Sequence, residues 1–327
     1  MSRRRRVLAA ALVGFALATL SVLGYTSGAS LAAYYYYSGC NPPYGYCPTA
    51  EDSVSENVDP GETVSTPGSP TAENPVQTSV TTPTGGTVTI EEQNDISQPS
   101  PSGFTFIGQQ VEITAPDATA SNPLVITFNI DGSVLVANGL DYTTIQVFRN
   151  GNLIGPCTQG AISSGRASPD PCVSARSPFP LPDGDGASIT VRTSQASFYN
   201  FGMSTAFAVS GFFSPVLNAP ALNTAKAGSS APLKFSLGGD QGLNIFAFGY
   251  PLSVKIDCTT PFAVDNFSAP AMTSGSSILT FDPKVGQYVF SWKTEKSWAS
   301  GPAGPCRQIV ARFISGQELK ANFKFVK

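Results

Sequence analysis

From residue 104 onward the chain alternates apolar and polar positions in short runs. "QVEIT", "PLVITFNIDGSVL", "TTIQVFRNGNLI", "ASITVRT" and "STAFAVSGFF" are separated by Gly, Asp, Asn and Pro. A period of two sends successive side chains to opposite faces of an extended chain, so each run predicts a strand with one buried face. Asn150-Gly151 marks a tight hairpin between "TTIQVFR" and "NLIG". A second set follows: "LKFSL", "LSVKIDC", "SILTF", "GQYVFSWKT", "RQIVARFI" and "LKANFKFV". In the last of these, Leu319, Ala321, Phe323 and Phe325 face one way, and Lys320, Asn322, Lys324 and Val326 the other. No run after residue 33 has a helical period. The pattern predicts an all-β chain of two consecutive sandwich domains, residues 104–214 and 222–327, joined by a proline-containing linker at 215–221.

The segment before residue 104 reads differently. "MSRRRRVLAAALVGFALATLSVLGY" joins a basic start to a long apolar run. Ser30, Leu31 and Ala32 then place small residues at −3 and −1 of a signal-peptidase site before Ala33. Residues 1–32 are therefore read as an export signal, with two alternatives. Left uncleaved, the run is long enough to span a bilayer, with Tyr34, Tyr35, Tyr36 and Tyr37 at the outer interface. "YSGC" at 37–40 resembles a lipobox ending in Cys40, although Tyr37 stands where Leu or Val is usual. "YYYYSGCNPPYGYC" reads as a small tyrosine-rich knot. Residues 49–103, rich in Pro, Thr, Ser, Gly and Glu, read as an extended stalk with too little apolar surface to offset ordering entropy.

Charge supports that division. The stalk holds nine acids and no base, whereas residues 104–327 carry 15 bases and 13 acids. No basic stripe is left to attract nucleic acid, which is excluded as a partner. Charged residues are only 13% of the chain, well below the roughly 25% of an ordinary soluble domain.

The six cysteines fall into sequence-local pairs, Cys40–Cys47, Cys157–Cys172 and Cys258–Cys306. Fifteen connectivities are open, but each pair lies in its own composition block, so pairing within blocks is the economical reading. An exported chain is expected to oxidise them. Closing the two longer loops stabilises the fold by roughly 3 and 4 kcal/mol in the chain-entropy account.

Candidate chemistry is sparse. The chain has no histidine, which removes Ser-His-Asp and Cys-His mechanisms in their usual form. There is no G-x-S-x-G elbow and no S-x-x-K. A pair of carboxylates could be drawn from Asp141, Asp170, Asp183, Asp185, Asp257 and Glu295, but most of these border Gly or Pro and read as turn residues. Asp183 and Asp185 in "PDGDGASITV" are weak calcium candidates; the strand that begins at Ala187 favours a hairpin turn instead. "LGGDQGLNIFAFGYP" lacks the Lys-Ser/Thr and the following helix of a phosphate loop, so it too reads as a turn, closed by Asp240. No cofactor and no enzymatic activity are expected.

"FDPKVGQYVFSW" places a Gly two residues before Tyr288 at the start of a strand, an arrangement similar to the tyrosine corner of immunoglobulin-like sandwiches. Tyr288 would return its hydroxyl to nearby backbone, and Trp292 is a core candidate. "AGSSAPLKFSLGGDQGLNIFAFGYP", Cys258, "LTFDPKVGQYVFSWKT", Cys306 and "ELKANFKFV" resemble, in order, the bacterial PxKF domain, named for the motif at Pro232, Leu233, Lys234 and Phe235. The resemblance covers about residues 222–327. It implies a C-terminal module of exported, often actinobacterial, multidomain surface proteins, and brings no activity or functional residues with it.

The sequence thus leads to an exported, extracellular or cell-surface protein with a structural, adhesive or interaction role. Its partner would be a protein or a cell-envelope polymer, and membrane contact would come only through an uncleaved anchor or a lipidated Cys40. The alternatives are a carbohydrate- or polymer-binding module using exposed aromatics such as Tyr199, Tyr250, Trp298 or the tyrosines at 34–37, and, more remotely, a carboxylate hydrolase.

Overall fold

The computed structural model describes residues 50–181, 184–260, 263–271, 279–300 and 305–327, by backbone alone over 50–51 and 263–270. The export signal, the tyrosine-rich segment and the Cys40–Cys47 pair lie outside the described residues.

The chain is all-β. The described residues belong to one compact unit, in which four sheets surround two large cores. In the first lobe, one sheet runs β1 (Ala50–Val58), β4 (Gly86–Gln93), β5 (Phe104–Thr114), β11 (Phe198–Ser204), β7 (Gln146–Arg149), β8 (Asn152–Leu153). The facing sheet runs β2 (Thr63–Ser65), β3 (Val76–Thr81), β6 (Leu124–Ile130), β10 (Gly184–Thr193), β9 (Cys172–Leu181). In the second lobe, the sheets run β12 (Ser210–Phe213), β14 (Ser230–Ser236), β18 (Gln287–Lys293), β17 (Thr280–Asp282), and β13 (Leu222–Lys226), β20 (Glu318–Val326), β19 (Cys306–Arg312), β15 (Leu252–Ile256), β16 (Ala263–Pro270). Among the described residues every strand-to-strand ladder is antiparallel except β13 on β20, with one isolated parallel bridge between Pro156 and Val173.

Alternation explains the layering. On β6, Leu124, Ile126, Phe128 and Ile130 point into the first core while Val125, Thr127 and Asn129 are partly exposed. Ala187, Ile189 and Val191 of β10 meet them there. In the second lobe Phe235 of β14 stacks on Tyr288 with ring centres 5.5 Å apart and lies 5.4 Å from Phe313. Trp292 is fully buried among Phe323, Phe325 and Trp298. Asn150 (φ 50°) and Gly151 (φ 72°) form the hairpin turn between β7 and β8, both in the left-handed region that such a two-residue loop demands.

The expected stalk is corrected over 50–93. That stretch supplies β1 to β4, and Val64, Val76, Val80, Val88 and Ile90 are buried in the first core. The segment looked unfoldable because its inward positions include Thr78 and Glu92 beside the valines, and its turns are rich in Pro and Gly. The alternation of its valines, rather than its overall apolar content, carried the information.

The expected boundary also moves. β12 pairs with β14, and Val216 is buried in the second core. Residues 215–221 are not a linker: Ala219 donates to the Lys320 carbonyl at 2.8 Å, and Asn322 donates to that of Pro220 at 3.3 Å. Phe207 is already tied to the second lobe through Gln317, so the crossover falls just after Ser204. Two short helices were also unforeseen, α1 (Gly132–Ala137) and α2 (Gln159–Ser164). At six residues each they are too short to display a period, and they are set by side-chain caps. Asp131 accepts from the Ser133 N–H at 2.8 Å, and Thr158 from that of Ala161 at 3.3 Å. Among the described residues no helix is long and apolar enough to cross a membrane.

Candidate functional site

The two lobes meet through a small set of directed contacts. Arg312 of β19 pairs with Asp141 of the first lobe at 2.7 Å, and donates to the Thr143 hydroxyl at 3.3 Å. The Phe248 N–H donates to the Thr143 carbonyl at 2.9 Å. Burial works to raise the Asp141 carboxyl. The Thr143 hydroxyl and N–H, together with the Arg312 guanidinium, outweigh it and hold Asp141 below its ordinary value.

Beside this junction lies a cavity of about 690 Å³, within the range of small-molecule sites. One wall comes from the first lobe: Thr143 and Gln146, the β8–α2 segment from Leu153 to Cys157, Ile162 of α2, and Val173 and Arg176 of β9. The other is the segment from Leu243 to Tyr250, with Leu279 and Ile314. The first wall is held by the Cys157–Cys172 disulfide, and by bonds of Cys157 N–H to the Val173 carbonyl (2.8 Å) and Val173 N–H to that of Gly155 (2.9 Å). The second is pinned along Phe313, where Ala247 donates to the Arg312 carbonyl and Ile314 to that of Ile245, each at 2.9 Å. Gly155 sits so close to Asn244 that a Cβ there would lie 2.8 Å from its amide nitrogen.

The lining is mostly apolar. Leu243 and Phe248 remain 59% and 38% exposed although both line the cavity. Arg176 is the one charged side chain among the described lining residues. Its guanidinium donates to the Ile145 carbonyl, its only partner among the described residues. Burial depresses its pKa to about 10, which leaves it a cation at neutral pH. Gln146 is buried with its amide nitrogen bound to the Thr144 carbonyl at 2.7 Å.

Most of the residues singled out from sequence lie elsewhere; Tyr250 and the disulfide-bonded Cys157 are the ones in the cavity wall among the described residues. Tyr199 is fully buried in the first core, against the expectation of an exposed aromatic: it occupies an inward position of β11, packed on Phe128. Trp298 is half-buried, covering Trp292 and Phe325 and capped by the Arg307 guanidinium. Tyr250 lines the cavity, with the Arg312 guanidinium 5.9 Å from its ring centre. Among the carboxylates, Asp141 is committed to Arg312, Asp170 accepts from the Ser194 N–H, and Asp257 accepts from Thr259 and Thr260. Glu295 accepts from the Ser297 hydroxyl. None of them lines the cavity.

Asp183 lies outside the described residues, and Asp185 stands in β10 opposite Pro180. The neighbouring Gly186 has the Ile130 carbonyl oxygen 2.1 Å from where a Cβ would be, so the glycine serves a close backbone approach. Among the described residues no group of three or more metal-ligating side chains gathers.

The turn at 238–242 has a structural partner. The Tyr288 hydroxyl accepts from the Gln241 N–H at 2.5 Å and donates to the Gly242 carbonyl at 3.0 Å, while Asp240 accepts from the Gly242 N–H at 2.9 Å. The corner tyrosine therefore reaches backbone more than forty residues earlier in the chain, instead of its sequence neighbourhood. Burial pushes its phenol up to about 12, helped by the Asp240 carboxylate and opposed by the Gln241 N–H. Pro232 and Lys234 lie on the outer side of β14, and Phe235 is the hub of the second core. Cys258–Cys306 closes that lobe.

No family model matches the chain, and no curated protein or solved structure is significantly similar to it.

Proposed function

We propose that this is an exported, non-catalytic cell-surface or secreted protein whose role is structural, adhesive or interactive. The observation that supports this reading is the junction of the lobes, where two disulfide-stapled sets of sheets meet at an apolar cavity with amides, hydroxyls and one guanidinium in its described walls. Those groups bind and orient. No imidazole exists in the chain, and no carboxylate among the described residues faces the cavity to move a proton. Two disulfides suit an oxidising compartment, the basic-apolar start suits export, and the resemblance of residues 222–327 to the PxKF domain supports the same placement.

The test is fractionation of cells expressing the full chain, followed by intact mass before and after reduction and alkylation. The expected product is extracytoplasmic, begins at Ala33, and alkylates at its six cysteines only after reduction. A cytoplasmic product with free thiols at Cys157, Cys172, Cys258 and Cys306 overturns the proposal.

A further inference from the structure

The cavity between the lobes has a feature that a structural joint does not need. A joint is stabilised by closing over its apolar side chains, yet here Leu243, Phe248 and Ile162 stay at least a third exposed around a volume of about 690 Å³. The wall also holds a cation with no carboxylate partner among the described residues. Arg312, close by, is paired with Asp141, whereas Arg176 has only the Ile145 carbonyl among the described residues. A guanidinium offers five N–H donors in a planar fork, so most of that capacity is unspent. The next residue after Ile145 is Gln146, itself in the cavity wall.

We propose that this cavity is a binding site for an amphipathic organic carboxylate. The apolar body would lie against Phe248, Leu243 and Ile162, and the carboxylate would take the free donors of Arg176. Planar carboxylate and planar guanidinium match as a two-bond fork, and such charge-assisted bonds are shorter and stronger than neutral ones. An uncharged apolar molecule would fill the same volume but leave the partly desolvated cation without its counter-charge. A second acidic group would find no further cation among the described lining residues. The selectivity is therefore for one negative charge on an apolar frame. Gln146 and Asn244 offer amide groups beside it, and Tyr250 a hydroxyl.

This inference deepens the interactive role proposed above and rests on that reading. It is tested on purified, oxidised protein, so its outcome is separate from the export experiment. The probes are 2-naphthoate and its uncharged counterpart 2-naphthalenemethanol, titrated by fluorescence and calorimetry. One molecule of 2-naphthoate is expected per chain, held about tenfold or more tightly than the alcohol, the ratio that a charged hydrogen bond supplies. Arg176→Gln should remove that preference while leaving alcohol binding unchanged, and Phe248→Ala should weaken both probes. Near-ultraviolet circular dichroism and thermal melts report whether the variants are folded. Equal binding of the two probes by the wild-type protein, or binding of neither, overturns the proposal without recourse to any variant. An Arg176→Gln protein that is folded and keeps the naphthoate preference overturns it as well.

Discussion

Glu92 provides the sharpest test of the energetics. It sits on β4 at the inward position that follows Val88 and Ile90, with no exposed surface. Thr66 donates to its Oε1 at 2.9 Å, while Oε2 has no hydrogen-bond partner. Burial raises its carboxyl from an ordinary 4.5 to about 7, against the lowering effect of the Thr78 and Thr66 hydroxyls and with a further push from Asp52. The folded state therefore holds this proton more tightly than the unfolded chain. Its stabilising contribution is fully present below pH 4.5 and is lost as pH rises through 7. At about 1.4 kcal/mol per pH unit of difference, the loss across that window is about 3 kcal/mol, of which about 2.5 falls between pH 5 and 8.

The chain has no histidine, so few other groups titrate in that window. Urea unfolding at pH 5, 6, 7 and 8, at fixed ionic strength, should show the wild-type protein weakening steadily. Glu92→Gln mimics the protonated acid, with an acceptor for Thr66 and a donor in place of the missing proton. It should match the wild type at pH 5 and exceed it by about 2–3 kcal/mol at pH 8. Both tryptophans belong to the second lobe, so fluorescence does not see this site; hydrogen exchange of β4 and β5 peptides does. A wild-type protein whose first lobe is equally stable at pH 5 and 8 refutes the reasoning. So does a glutamine variant with the wild-type slope.

Other outcomes follow from the same contacts. Phe235→Ala should cost about 3–5 kcal/mol, because it empties the centre of the second core, while Lys234→Ala beside it should stay within about 0.5 kcal/mol; equal costs in urea titrations would contradict the inward–outward assignment of β14. Tyr288→Phe should cost about 1 kcal/mol, since the Gln241 and Gly242 backbone groups sit on an exposed turn where water can replace the hydroxyl; faster exchange of the Gln241 amide is the specific readout. A double-mutant cycle of Asp141→Asn and Arg312→Met should give a coupling below about 1 kcal/mol, because the two side chains are 39% and 21% exposed and the pair is screened. A coupling of about 3 kcal/mol or more would mean that the pair is far drier than its exposure implies.

The strands were legible where each inward position carried a large apolar side chain. β6 and β20 alternate so cleanly that sequence and burial nearly coincide. The exception on β20 is Asn322, read as outward but buried where the 216–222 segment crosses it, with Gln308 and the Pro220 carbonyl as its partners. β3 and β4 were illegible by composition. Thr78 and Glu92 occupy inward positions although polar, and what accommodates Glu92 is the Thr66 hydroxyl, which comes from the segment after β2 and is not displayed by the composition of β4 itself. The parallel pairing of β13 with β20 likewise depends on partners 100 residues apart in the chain.

The candidate site was less legible still, and for a different reason. In "SARSPFP", Arg176 has the look of an ordinary outward charge on the edge strand β9. In "LNIFAFGYP", Leu243 and Phe248 could belong to any apolar run following a turn. Arg176 belongs to β9, and Leu243 and Phe248 lie in the irregular segment between β14 and β15, where no alternation marks a side. What changes their environment is the approach of the second lobe, fixed by Arg312 on Asp141 and by Phe248 on the Thr143 carbonyl. Those contacts turn the outer surface of one lobe into the inner wall of a cavity, and leave the Arg176 guanidinium with the Ile145 carbonyl as its partner among the described residues. A ligand site made in this way has no motif of its own, because its chemistry belongs to the docking of two folds and not to either of them.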